Sequence, residues 1–146
     1  MTFPLKCIVD ASVNIKLFIP DSQSERVKRL FAHLANPETE FYVPDLFYIE
    51  SANILWKYVK AGLYTATDVQ ADLNDLAQFP LKSVSTVSLM QEATKIAINH
   101  NITAYDGCYV ALSYQVQVPL LTLDLKLVKA LTDSPFDVRS FVDFPV

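Results

Sequence analysis

Four acidic residues stand in apolar segments of the sequence, where an unpaired carboxylate is costly to bury: Asp10, Glu50, Asp106 and Asp124. Asp10 directly follows the apolar run Cys7–Val9, and Asp124 directly follows Leu120–Leu123. For each acid alone a structural role is a good explanation, because Asp at a strand end commonly caps the next helix and Asp106 has the form of such an N-cap. The four together indicate a shared site.

Carboxylates gathered at one place repel one another, by about 4 kcal/mol for a pair roughly 4 Å apart at an effective dielectric constant of about 20. A hard dication compensates this repulsion. Because these motifs offer oxygen ligands without a competing histidine or cysteine ligand, the set suits Mg²⁺ or Mn²⁺. Such ions also bind phosphate oxygens and lower the pKa of a water molecule, so the expected chemistry is hydrolysis of a phosphodiester.

Polar side chains near the acids form a second set of candidates. Ser12 and Thr122 each lie two residues from an acid, where a hydroxyl can hydrogen-bond a carboxylate, although helix capping and strand packing explain them equally well. Asn53 lies one turn beyond Glu50 on the same helical face and is a candidate donor to the site.

Basic and aromatic residues near the motifs are candidates for contacting a nucleic acid. The nearest basic residues are Lys16, Lys57 and Lys126, for which a solvated surface position is the ordinary alternative. The candidates for base stacking are Tyr48, Tyr105 and Tyr109, although rings at helical spacing near an apolar core usually pack. The two histidines, His33 and His100, are expected on helix surfaces in structural roles.

Short apolar runs and helical periodicity alternate along the chain, and they predict the elements that position the acids. The predicted strands are Leu5–Val9, Phe41–Val43, Leu81–Val84 and Pro119–Leu123, all expected to be buried. The predicted helices cover Asp45–Ala61, Ser88–His100, Tyr105–Gln115 and Leu125–Leu131, and two more start at the capping-box patterns Ser22-x-x-Glu25 and Thr65-x-x-Asp68. Alternation of this kind favours a parallel sheet with helices on both faces, in which ligands bind beyond the carboxyl ends of the strands.

The composition fits a single folded domain spanning residues 1–146, with 51% hydrophobic and 19% charged residues. A net charge of −4 argues against a broad basic surface for nucleic acid. We find no apolar run long enough to span a membrane and no secretory pattern at the start, so we expect a cytoplasmic protein. Cys7 and Cys108 are far apart in apolar segments and are expected to be buried and reduced.

The four acids, in this order and in these contexts, resemble the PIN-domain family and especially its VapC-type toxin branch. The resemblance spans nearly the whole chain. It is carried by four strings in order: Val9–Val13, Glu50–Lys57, Tyr105–Leu112 and Leu121–Asp124. It implies a three-layer α/β/α fold with a central parallel sheet of about four to five strands, Mg²⁺- or Mn²⁺-dependent cleavage of RNA, an antitoxin partner and frequent homodimerisation.

On this resemblance Asp10, Glu50 and Asp106 hold the first ion directly, and Asp124 helps to position that ion, a second ion or the attacking water. Two departures from the family pattern stand out. Gly107 occupies a place where the family usually has Ala, which we expect to loosen the backbone near Asp106, and Leu125-Lys126 replaces a more arginine-rich step. The expected activity is therefore weaker than typical.

Two other classes of protein require acidic residues that this sequence lacks. A dehalogenase-like phosphatase needs a second Asp two residues after the first, and Ser12 stands there. A phospho-acceptor receiver domain shows adjacent early acids, which Val9–Ala11 lacks. The sequence leaves open a PIN domain without catalysis that binds RNA or serves in assembly, because retained acids indicate capacity for metal and not turnover.

Overall fold

The computed structural model describes residues 3–146, in which five strands alternate with helices. The strands are β1 (Lys6–Val9), β2 (Glu40–Pro44), β3 (Lys82–Val84), β4 (Leu120–Thr122) and β5 (Val138–Ser140). The α-helices are α1 (Ala11–Asn14), α2 (Ser24–Ala32), α3 (Leu46–Lys60), α4 (Ala66–Gln78), α5 (Thr86–His100), α6 (Ala104–Val116) and α7 (Leu125–Ala130). Short 3₁₀ turns cover Ile15–Leu17, His33–Ala35 and Phe141–Asp143.

The strands form one parallel sheet in the order β3-β2-β1-β4-β5. At its centre, Ile8 of β1 pairs with Tyr42 of β2 on one side and Leu120 of β4 on the other. The chain first moves outward from β1 to β3 and later returns to add β4 and β5 on the opposite side. The carboxyl end of β1 therefore lies at a topological switch point, where ligands bind in this class of fold.

Helices cover both faces of the sheet, which confirms the three-layer prediction. Ile8 points into a core formed with α3 to α7, whereas Cys7 and Val9 point to the other face, which α2 and the Phe141–Asp143 turn cover. Successive residues of a strand face opposite sides, so β1 contributes to both cores at once. The buried central strands read as almost continuous apolar runs for the same reason.

Several predicted boundaries agree with the structure within two residues. α3 stops at Lys60 because Gly62 adopts a φ of 75°, a left-handed conformation that a glycine takes without strain. Thr65 caps α4 as predicted, since its hydroxyl accepts a 3.1 Å hydrogen bond from the backbone N–H of Asp68.

The capping box predicted at Ser22 is wrong. α2 begins two residues later, and the preceding turn is built differently: the Asp21 carboxylate accepts from the N–H of Gln23 at 2.8 Å, and the Ser24 hydroxyl accepts from the N–H of Asp21 at 2.9 Å. An aspartate that folds back on its own turn thus takes the place of the expected serine cap.

Two elements, β5 and α1, were not predicted from the sequence, and the predicted burial of β3 is wrong. β5 and α1 are too short to show a period of two or of 3.6. β3 was expected to be buried, but its Lys82 and Ser83 are exposed because β3 is an edge strand of the sheet.

His33 does not lie on a helix surface as expected. It is buried, and its Nδ1–H donates to the carbonyl of Phe3 at 2.9 Å, so it ties the start of the chain to the turn after α2. The two cysteines are free and buried, as predicted. In the part of the chain that the structure describes, no helix is long and apolar enough to cross a membrane.

Gly107 permits an unusually close approach of α6 to α5. A Cβ at this position would lie 2.3 Å from the carbonyl oxygen of Ala93. The expectation that Gly107 loosens the backbone beside Asp106 therefore needs correction. The absence of a side chain lets two helices pack backbone to backbone, and this packing fixes the start of α6.

Candidate metal centre

Asp10 lies at the carboxyl end of β1, where α1 begins, and its side chain is almost fully buried. Its Oδ2 atom accepts two hydrogen bonds, from the hydroxyl of Ser12 at 3.0 Å and from the hydroxyl of Thr122 at 2.7 Å. Burial raises the pKa of Asp10, and the two hydroxyls act in the opposite direction by favouring the charged form.

The same two hydroxyls also bind the backbone after β4. Ser12 Oγ accepts from the N–H of Leu123 at 3.1 Å, and Thr122 Oγ1 accepts from the N–H of Asp124 at 3.0 Å. Each hydroxyl therefore donates to the Asp10 carboxylate and also accepts from the backbone of the segment that carries Asp124. The network fixes the carboxyl ends of β1 and β4 relative to each other.

Glu50 is half-buried on the second turn of α3. Its Oε1 accepts a 2.7 Å hydrogen bond from the hydroxyl of Tyr109, a fully buried residue of α6. The pKa of Glu50 is raised, first by burial and then by the negative charges of Asp10 and Asp106, while the Tyr109 hydroxyl lowers it. Tyr109 thus acts on a carboxylate and does not stack on a base, which the sequence did not show.

Asp106 belongs to the first turn of α6 but does not cap it. Thr103 is the N-cap, and its hydroxyl accepts from the N–H of Asp106 at 3.0 Å. The N-cap alternative for Asp106 is therefore wrong. Burial, followed by the charges of Asp10 and Asp124, raises the pKa of Asp106 from 3.8 to about 6.

Asp124 has a structural role that the sequence allowed. It is the N-cap of α7, with Oδ1 accepting from the N–H groups of Lys126 at 3.0 Å and Leu127 at 3.3 Å. It is exposed, and its charge nevertheless contributes to the raised pKa of Asp106. One carboxylate thus caps a helix and adds negative charge to the site.

The donor set fits a hard dication. The pKa values of Glu50 and Asp106 are both raised in part by the negative charges of neighbouring acids, and a divalent cation held by these carboxylates would offset that repulsion. Within residues 3–146 no three acidic, histidine or cysteine side chains form a ready-made metal cage. The four carboxylates nevertheless supply oxygen ligands only, which is the donor set that Mg²⁺ and Mn²⁺ prefer.

Two clefts flank the acids. One, of about 600 Å³, is lined by Glu50, Asn53, Trp56 and Tyr105 together with Ile49 and Ala52. The other, of about 420 Å³, is lined by Asp106, Asp124 and Lys126 among others. The neighbouring residues Tyr105 and Asp106 of α6 divide them. The acidic residues therefore lie between an aromatic cleft and a polar one.

The structure separates the remaining candidates. Lys126 lines the polar cleft, Lys57 is exposed on α3, and Lys16 forms a 2.7 Å ion pair with Asp21. Within residues 3–146 the side chain of Asn53 makes no hydrogen bond, so it does not support Glu50 as the sequence suggested. Tyr48 is half-buried against Phe47, with ring centroids 5.3 Å apart.

Asn14 was not among the candidate residues that the sequence indicated. It is fully buried at the end of α1, where its Nδ2 donates to the hydroxyl of Ser51 at 3.2 Å, while its Oδ1 has no partner. Ser51 in turn donates to the carbonyl of Phe47 at 2.8 Å. The contact joins the helix that follows Asp10 to the helix that carries Glu50. The only sequence signal was an amide within the otherwise apolar stretch Val13–Ile15.

Comparison with known proteins supports one family. The model of the PIN domain matches residues 7–130, and the chain belongs to the PIN-domain family.

Among characterised relatives, the chain is 34% identical over 127 residues to a protein of Pyrobaculum aerophilum named Ribonuclease VapC3, covering 86% of this chain and 94% of the relative. A solved protein of the same organism superposes with a TM-score of 0.70 at 19% identity, covering 94% of this chain and 85% of that one. A toxin–antitoxin complex from Klebsiella pneumoniae gives a TM-score of 0.64 at 13% identity, covering 96% and 99%.

Proposed function

We propose that this chain is a divalent-metal-dependent endoribonuclease, the toxin of a toxin–antitoxin pair, in which Asp10, Glu50, Asp106 and Asp124 form the metal centre. The observation that carries the proposal is the convergence of these acids at the carboxyl end of the central strand. Ser12 and Thr122 join Asp10 to the backbone that carries Asp124, and the charges of neighbouring acids help to raise the pKa values of Glu50 and Asp106. The relative named Ribonuclease VapC3, which aligns over most of both chains, supports RNA as the substrate.

In this proposal, the position of each residue in the site determines its role. Asp10, Glu50 and Asp106 hold the ion, which we take to be Mg²⁺ or Mn²⁺ because the donors are carboxylate oxygens. Such an ion, when bound, lowers the pKa of a water molecule and offsets charge on the phosphate. Ser12 and Thr122 favour the charged form of Asp10 and fix the direction of its carboxylate, and Asp124 lines the polar cleft, where it can orient water. Lys126 contacts the RNA backbone from that cleft, and Lys57 does so along α3.

The partner we propose is a cognate antitoxin, as in the Klebsiella pneumoniae complex that shares the fold. An Arg or Lys of the antitoxin, inserted between the acids, neutralises the same charges as the metal does. A complex in which the four acids remain open to solvent contradicts this arrangement. We also propose that the protein acts in the cytoplasm, where it would meet cellular RNA.

We further propose a homodimer, as the family resemblance implies. α5 exposes Val87, Met90 and Ile98, with 71%, 52% and 76% of each residue accessible. Light scattering of the purified chain tests this state, and a monomer at high concentration contradicts it.

Cleavage of RNA by metal-free protein, with and without added Mn²⁺ or Mg²⁺, tests the nuclease against a catalytically silent RNA-binding or assembly PIN domain. We expect cleavage with metal and none in excess EDTA. Glu50→Gln keeps an acceptor for Tyr109 but removes a charged ligand, so it should reduce cleavage to background and shrink the rise in melting temperature that Mn²⁺ produces.

The matched control is Glu38→Gln, an exposed residue before β2 at the opposite end of the sheet. It should retain both cleavage and the Mn²⁺-induced shift. Undiminished cleavage in EDTA refutes the metal mechanism, and metal binding without any cleavage favours the silent alternative.

A further inference from the structure

The aromatic cleft of about 600 Å³ shares Glu50 with the acidic centre. Its walls come from two helices: α3 supplies Ile49, Ala52, Asn53 and Trp56, and α6 supplies Tyr105. We propose that this cleft binds one unstacked nucleobase of single-stranded RNA, next to the phosphodiester that is cut. The inference rests on the ribonuclease function proposed above and assigns a base-binding subsite to it.

Two large rings lie exposed in this cleft. Trp56 is 52% accessible and Tyr105 is 66% accessible, although aromatic rings of this size normally bury most of their surface. A base bound in this cleft would cover exposed surface of the rings that line it. Stacking of a base on an aromatic side chain contributes about 1–3 kcal/mol and tolerates any base, since every base has a π-face.

Polar groups at the cleft suit a nucleotide. The Asn53 amide offers one acceptor and two donors, and within the described residues it has no other partner. The Lys60 ammonium lies 5.1 Å from the centre of the Trp56 ring, so it brings positive charge to the rim of an otherwise acidic site. Within three turns, α3 thus supplies an amide that can read the edge of a base, the Trp56 ring and a cation for phosphate, and α6 adds the ring of Tyr105.

The position of the cleft favours RNA over a docked protein helix. The apolar residues of α3 that line it run only from Ile49 to Trp56, about 10 Å along the helix axis, and Glu50 and Asn53 interrupt them. A helix in a groove needs a continuous apolar floor for anchors spaced over at least two turns, and here a carboxylate and an amide interrupt that floor. A metal ion held by Glu50 and its neighbours would bind a phosphate of the RNA, and the nucleotide attached to that phosphate would lie at the mouth of this cleft because the cleft and the acidic centre share Glu50.

The first experiment uses fluorescence, since Trp56 is the single tryptophan of the chain. Nucleoside monophosphates, which cannot be cleaved, are titrated into wild-type protein with Mg²⁺, and ribose 5-phosphate serves as the ligand without a base. We expect quenching by the nucleotides and none by the sugar phosphate. Quenching that is equal for both, or absent for both, overturns the proposal. This readout does not depend on turnover, so it separates failure of the subsite from failure of the nuclease function.

The second experiment is a double cycle on cleavage of a short RNA. Trp56→Ala should lower kcat/KM about 5- to 150-fold, the range that corresponds to loss of one stacked base, and Trp56→Phe should restore most of it. An abasic nucleotide beside the cut should cost the wild type a similar factor but cost Trp56→Ala little more. Tyr114→Ala, which removes another exposed aromatic ring of α6 that lines a different cleft, should change nothing.

Strictly additive losses overturn the proposal, because the base and Trp56 then act at separate places. A Trp56→Ala protein that cleaves like the wild type but no longer binds its antitoxin also overturns it and assigns the cleft to a protein partner.

Discussion

The strand-borne half of the acidic site differs from its helix-borne half in what holds each carboxylate. Asp10 is buried and receives hydrogen bonds from two hydroxyls, which themselves bind the backbone after β4. Glu50 and Asp106 are only half-buried and lie on α3 and α6, where the charges of neighbouring acids help to raise the pKa of each. One half is preorganised by hydrogen bonds, and the other is positioned by helix packing.

This difference shows where the site can tolerate change. The two hydroxyls fix the direction of the Asp10 carboxylate and favour its charged form, so their loss affects one of the proposed ligands. The helix-borne acids depend on the relative position of α3, α5 and α6, so a change in helix packing far from any carboxylate affects the whole second half.

The largest effect is expected from Gly107→Ala. The new methyl group would lie 2.3 Å from the carbonyl oxygen of Ala93, so α6 must move away from α5. We expect a loss of about 2 to 3 kcal/mol in the free energy of unfolding, together with a large fall in kcat because Asp106 moves with the helix. Chemical denaturation and RNA cleavage measure the two effects.

Gly62→Ala is the control for this change. Gly62 has a φ of 75° and open space around its Cβ position, so the substitution costs about 1–2 kcal/mol through strain in the turn and leaves activity per folded molecule intact. A Gly107→Ala protein as stable and active as the wild type would show that the helix-borne half does not depend on this packing.

A smaller effect is expected from removing one hydroxyl that binds a carboxylate in each half of the site. Thr122→Val keeps the shape of the side chain but deletes the 2.7 Å hydrogen bond to Asp10, and we expect kcat/KM to fall about 10- to 100-fold. Tyr109→Phe deletes the hydrogen bond to Glu50, yet water can replace it at this half-exposed carboxylate, so the fall should be several times smaller. Equal losses for the two variants, measured at saturating Mn²⁺, would remove the contrast between the halves.

The smallest effect concerns pH in EDTA. The pKa of Asp106 is about 6 in the folded protein against 3.8 for the free side chain, so the folded state binds its proton more tightly than the unfolded state does. The contribution of Asp106 to stability is therefore present below about pH 4 and lost as the pH rises through 6. Asp106→Asn should match the wild type near pH 4 and exceed it by about 1 kcal/mol above pH 6, a figure reduced for solvent screening. A difference that does not vary with pH would contradict the repulsion.

Sequence patterns predicted the parts of this fold that have a period or a cap. The central strands, α3 and the Thr65 cap follow from apolar runs, a stop at Gly62 and a hydroxyl three residues before an acid. They also predicted that Asp10 and Asp124 lie at strand ends on one edge of the sheet, because parallel strands end on the same side.

Tertiary contacts determined the rest, and no local pattern reports them. The bond from Tyr109 to Glu50 joins residues 59 apart in the chain, and Gly107 has its meaning only beside Ala93. Asp106 was a candidate cap because it lies at the start of a predicted helix. The sequence did not show that Thr103, three residues earlier, is the residue that caps α6. Asn53 has the right helical spacing from Glu50 but faces the cleft, because spacing fixes a face of the helix and not a contact.

The strand order has a consequence for the folding of the chain during its synthesis. β4 pairs directly with β1, although more than a hundred residues separate Ile8 from Leu120 in synthesis. A nascent chain that already contains Asp10 and Glu50 lacks Thr122, Asp106 and Asp124, so it has neither the hydroxyl bridge to Asp10 nor the second pair of acids. On the proposed assignment of the metal centre, a chain in which β4 has not yet entered the sheet therefore lacks residues that it needs to cleave RNA.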